Sequence, residues 1–189
     1  LTSALGFIIL LLVAAVPLQG LAFLLGGVAF EELAISLVML LVTALAYGAM
    51  GIFFSTLMRR TLGASVLSYG FALVNVLALP MLSILVLPIL GFGFSQPNLF
   101  WVEVAFFLVL WMLVSLNPIA AGGVTAVLLI EEQTLLLAEL PLSSASYMTN
   151  PPFTYLPLPS PWLIYTAFYL LFGLGVIVLS IMRVRRKDD

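Results

Sequence analysis

Long apolar runs separated by short charged turns constrain this chain more than any other feature. A transmembrane helix needs roughly 20 mostly apolar residues and a barrel strand about ten with strict alternation, so runs of this length select helices and exclude a barrel. Of 189 residues, 64% are hydrophobic and 7% charged, too few charges to cover a soluble domain of this size. The expected fold is all-α, a polytopic transmembrane helical bundle.

The first run, 4–28, is apolar or small except for Gln19, and Pro17 is expected to kink it. Glu31 and Glu32 are read as the turn after it. The second run, 33–58, ends at Arg59 and Arg60. The third, 62–90, carries Pro80 and Pro88 and closes in a loop at 91–98. Residues 99–131 are apolar again, but Asn117-Pro118 interrupts them and Gly122-Gly123 follows. Each half is short for a crossing, which predicts a hairpin or re-entrant element bent at Asn117 and Pro118. Six of the eleven prolines fall in 141–161, which predicts an extended outer loop at the interface. The last run, 162–182, is a full span. One membrane domain, 1–189, is therefore expected, with four full spans and the hairpin before the last. Because the chain opens on Leu1 and enters a span almost at once, a missing N-terminal segment is expected as well.

All six basic residues lie in two clusters, Arg59-Arg60 and Arg183, Arg185, Arg186 and Lys187. The positive-inside rule makes both cytoplasmic. The last span then runs inward, so 99–131 crosses an even number of times or dips and returns. Glu31, Glu32, Glu103, Glu131, Glu132 and Glu139 fall at or near the outer face, and Trp101, Tyr147, Tyr155, Trp162 and Tyr165 are expected to form an outer aromatic belt. The implied location is a plasma (cytoplasmic) membrane, multi-pass, with the C-terminus in the cytoplasm.

With neither His nor Cys, the chain supplies no imidazole base, thiol nucleophile or thiolate ligand, and no catalytic, cofactor or metal residue is expected. A net charge of −2 gives nucleic acid no electrostatic footing. No Gly-rich loop ending in Lys is present to cradle phosphate, so ATP chemistry would belong to another chain. Glu103 is the one acid inside an apolar run. Near the outer end of that run, it is read as an anchor reaching headgroups rather than as an ion site. Glu131, Glu132 and Gln133 read as a solvated helix end. Ser36, Thr43, Ser65, Ser68 and Asn75 read as hydrogen-bonding groups between helices or, alternatively, as the lining of a path. Gly48, Gly51 and Ser55 form a small-residue stripe suited to helix packing, with Gly173 and Gly175 a weaker one.

The segment from Tyr47 to Thr61, Tyr-Gly-Ala-Met-Gly-Ile-Phe-Phe-Ser-Thr-Leu-Met-Arg-Arg-Thr, resembles the membrane subunits of type-two ATP-binding-cassette (ABC) exporters, with their Gly-x-x-Gly-x-x-x-Ser stretch and basic turn. Leu21 to Val28 followed by Glu31-Glu32 resembles that family's third span and outer turn, and Ser115-Leu-Asn-Pro118 its Asn-Pro segment before the last span. The resemblance implies that the chain corresponds to spans three to six of a six-span permease. On that mapping the N-terminal interfacial helix, the first two spans and the coupling helix that contacts the ATPase are expected to be missing. It further implies a cytoplasmic ATP-binding subunit carrying ATP and magnesium, a second permease copy or homologue, and surrounding membrane lipid.

Two functions of different class follow as expectations. The first is an exporter permease, C-terminal portion, that forms with a second permease the pathway for an amphipathic or lipid-like substrate. The absence of mid-membrane charge suits such a cargo better than an ion. The second is a non-transporting anchor or assembly subunit. A gradient-driven transporter is a third possibility and would require Glu103.

Overall fold

The computed structural model describes residues 2–27, 29–58, 60–78, 81, 100–131, 134–142, 145 and 150–188. Helices dominate them: α1 (Thr2–Leu24), α2 (Phe30–Leu57), α3 (Thr61–Leu73), which passes into a π-helical turn (Val74–Ala78), α4 (Phe100–Leu116), α5 (Pro118–Glu131) and α6 (Pro161–Asp188). Two short strands, β1 (Leu137–Pro141) and β2 (Tyr155–Pro159), complete the description. Among the described residues, α2 and the Pro161–Arg185 part of α6 are long and apolar enough to cross a membrane, or up to three spans exist if the broken pair α4–α5 counts as one. That is the signature of a membrane protein. Pro80, Pro88 and the 91–98 loop lie outside the described residues, so the third apolar run is seen only as α3 and its π-helical end.

The chain divides into two compact units, one made of Leu1–Ala72 and Thr166–Asp189, the other of Leu73–Tyr165. In the first, the chain reverses between α1 and α2 around Gly26, whose φ of 74° is a left-handed conformation that costs glycine least. The reversal thus precedes Glu31-Glu32, which the sequence suggested as the turn. Both acids instead sit in the first turn of α2, where the unpaired N–H groups of a helix start favour negative charge, and the Ala29 N–H donates to Glu32 Oε2 at 3.3 Å.

Along α2 the buried side chains are Ile35, Met39, Val42, Ala46, Ala49 and Met50; the first five are spaced by three or four residues and therefore form one stripe. On α6 the buried positions of this unit are Tyr169, Gly173, Val176 and Ser180, the same periodicity. Ala49, Met50 and Val176 pack into one cluster with Phe53, Phe54, Phe71 and Phe172 at its edge. Phe71 and Phe172 stack at 6.2 Å, and Tyr47 meets Phe71 edge-on at 6.0 Å. Backbones come close at Gly173: a Cβ there would lie 3.5 Å from Ala46 Cα, whereas one at Gly175 would meet nothing within 4 Å. The two glycines paired by sequence thus differ, because they lie two residues apart on a helix and point to different sides.

In the second unit, β1 and β2 pair antiparallel with Ala138 opposite Leu158 and Leu140 opposite Leu156. Where the prolines of 141–161 predicted an extended loop, part of the segment is therefore a hairpin sheet. The register explains how it accommodates them. The flanking bonds, Leu142 N–H to Thr154 O at 3.1 Å and Ser160 N–H to Leu136 O at 2.9 Å, put 154, 156, 158 and 160 on the hydrogen-bonded side of β2. Pro157 and Pro159 fall on the other side, where the donor they lack is not required. Leu156 and Leu158 turn inward with Ala138 to join Phe100, Val104, Trp111 and Leu128 in a single core.

The expected aromatic belt is only partly on the surface. Trp101 and Tyr155 are exposed, but Tyr165 is completely buried. Trp162 donates its Nε1–H to Leu135 O at 2.8 Å, and Tyr147 lies outside the described residues.

Candidate functional site

The second unit centres on the break between α4 and α5, whose axes are bent by 111°. Proline at 118 disfavours helical backbone at Asn117, yet it suits the first position of a helix, where no N–H bond is required. The chain therefore stops one helix and starts another at adjacent residues. Asn117 is the cap: its Oδ1 accepts from the N–H of Ile119 at 2.9 Å and of Ala120 at 2.8 Å. Its Nδ2 donates to Asn75 O at 2.6 Å and Val76 O at 3.1 Å. Both of those carbonyls belong to the π-helical turn, a local departure from α geometry of the kind that clusters at functional positions. The side chain is completely buried and uses both amide donors and both acceptor lone pairs, which only a carboxamide can do.

Glu103 is 1% exposed. The sequence placed it in reach of headgroups, but it is buried on α4, whose Phe100, Val104 and Trp111 pack in one core with the hairpin. Trp111 fixes the cover by donating Nε1–H to Pro159 O at 2.8 Å. Pro159 O is available because it lies on the outer edge of β2. This bond had no sequence signal, since Trp111 reads as one more apolar residue in an apolar run. Ser115 Oγ and Thr125 Oγ1, one on each arm of the broken pair, are buried without a hydrogen-bond partner among the described residues.

In the first unit, Gly48, Gly51 and Ser55 lie along one side of α2. Together with Ile52 and Thr56 they form one wall of a groove of about 720 Å³, and Thr61, Ala64, Ser65, Ser68 and Tyr69 of α3 form the other. A Cβ at Gly51 would come within 4.0 Å of Ser68 Oγ, an ordinary contact. Hydroxyls here donate back along their own helices: Ser55 to Gly51 O, Thr56 to Phe53 O, Ser65 to Thr61 O and Ser68 to Ala64 O, at 2.8–3.1 Å. Thr43 likewise donates to Met39 O, while Ser36 accepts from Gln19 Nε2 of α1 at 3.3 Å.

Arg60 is exposed in the turn that leads into α3, and Arg183 and Arg185 are exposed on α6. Arg59, Glu132, Gln133 and the side chains of Arg186 and Lys187 lie outside what is described. Among the described residues no group of three His, Cys, Asp or Glu is placed to hold a metal ion. No protein-family model, curated protein or solved structure matches this chain.

Proposed function

We propose that this chain is the C-terminal portion of the membrane subunit of a type-two ABC exporter, paired with a second permease and driven by cytoplasmic ATPase subunits that bind ATP and magnesium. The observation that carries the reading is the apolar helix pair α4–α5, bent by 111° at Asn117-Pro118 and followed by the long apolar helix α6. A pair too short and too bent for two crossings, set before a final span, suits the re-entrant outer element of such permeases. The basic turn at Arg60 and the basic end of α6 support a cytoplasmic placement for both, hence a cytoplasmic C-terminus and four crossings in a plasma membrane. The cargo in this reading is amphipathic or lipid-like. Glu103, the one acid inside an apolar run, is buried on α4.

The test is recovery of a partner. The full-length protein, isolated by affinity tag from its own membranes, should bring with it a P-loop ATPase whose hydrolysis rises when the two are reconstituted together. Recovery of a stable complex that contains no nucleotide-binding chain would favour the non-transporting anchor and sink the exporter reading.

A further inference from the structure

We infer that the α2–α3 groove is a binding site for an anionic phospholipid, with one acyl chain along the groove and the headgroup at Arg60. This stands on the membrane character of the helices and is independent of the exporter reading. Three features of the groove bear on its occupant. Its volume of about 720 Å³ lies in the range of small-molecule sites, about 300–1,000 Å³. Its walls mix apolar side chains with hydroxyls, and three of those hydroxyls are turned away from a guest. Ser55, Ser65 and Ser68 each spend their hydroxyl proton on a carbonyl of their own helix, so they offer a guest no donor in that state, and between them lie Gly51, Ile52 and Ala64. A hydrocarbon chain laid against these serines leaves their hydrogen bonds in place.

Among the described residues, one basic residue adjoins the lining. Arg60 immediately precedes Thr61, which lines the groove, and no acid is among the lining residues. The first N–H groups of α3 open beside it, since Ala64 N–H is the one that bonds back to Arg60 O, at 3.3 Å. An exposed arginine next in sequence to the lining of a groove between helices complements a lipid that is anionic at one end and hydrocarbon along its length. Zwitterionic lipid carries the same chain but lacks the net charge that Arg60 would attract.

Native mass spectrometry of the full chain released from bilayers of mixed phosphatidylcholine and phosphatidylglycerol tests this. The expected result is retained phosphatidylglycerol at a ratio above that of the bilayer. Arg60→Gln should lower the enrichment about fivefold, the size of one basic side chain's attraction to an anionic leaflet. Ser55→Leu, an exposed position on the groove wall, should abolish retention while leaving every charge in place. Arg183→Gln, which removes an equal charge far along the sequence, should leave it unchanged. Equal loss with Arg183→Gln, or full retention with Ser55→Leu at an unchanged melting temperature, would reduce the effect to general surface charge and overturn the site. If Ser55→Leu melts lower, Ser65→Leu on the opposite wall takes its place, with the same two readings.

Discussion

Asn117 donates its side-chain amide to the backbone carbonyl of Asn75 at 2.6 Å, across 42 positions of chain. The same side chain caps α5, so one residue both starts that helix and ties it to the π-helical turn. Breaking it should cost more than an ordinary cap. Asn117→Ala is expected to destabilise the protein by about 3 kcal/mol: about 1 for the cap, the rest for carbonyls that lose a donor in a buried setting. Asn117→Ser should recover about 1 kcal/mol, because Ser caps but cannot reach as a two-proton donor. Thermal unfolding in detergent measures both, and an unchanged midpoint for Asn117→Ala would mean the tie carries no stability.

At the α2–α6 contact, Gly173→Ala should be tolerated, since its Cβ would make ordinary contact with Ala46 at 3.5 Å. Gly173→Leu should cost about 1–3 kcal/mol, as overpacking of a formed contact does. Gly175→Leu, with open space around its Cβ, is the matched control. Equal melting temperatures for the two leucine variants would show that Gly173 is not held against α2.

Trp111→Phe removes one hydrogen bond, to Pro159 O, and keeps most of the packing. A loss of about 1 kcal/mol is expected. Hydrogen exchange should report where the loss falls: amides of β2 should exchange faster while those of α2 stay as they were. Uniform acceleration throughout the chain would argue that Trp111 supports the whole fold rather than the cover on α4.

The two basic clusters are expected on one side of the membrane. The chain has no cysteine, so single replacements Arg60→Cys and Arg183→Cys give clean labelling sites. An impermeant thiol reagent added outside intact cells should miss both and reach both after lysis. Labelling of one from outside and the other only from inside would put an odd number of crossings between them and end the proposed topology.

How much of this was written in the sequence depends on the range of the interaction. Residue type and local spacing alone determined the helical class, the apolar run of α2 and the break at Asn117-Pro118, because each follows from solvent, turn geometry or the missing proline donor within a few neighbours. The tertiary structure alone decided what those elements meet. It buried Glu103 and Tyr165, turned a proline-rich stretch into a sheet whose register hides the missing donors, and brought Ala46 within 3.5 Å of where a Cβ on Gly173 would sit. Burial depends on what arrives from elsewhere, and a stripe of small residues has the same spacing whether it faces a helix or a groove. Asn117 spans both levels: its sequence neighbours make it a cap, and only the fold brings Asn75 O to its amide.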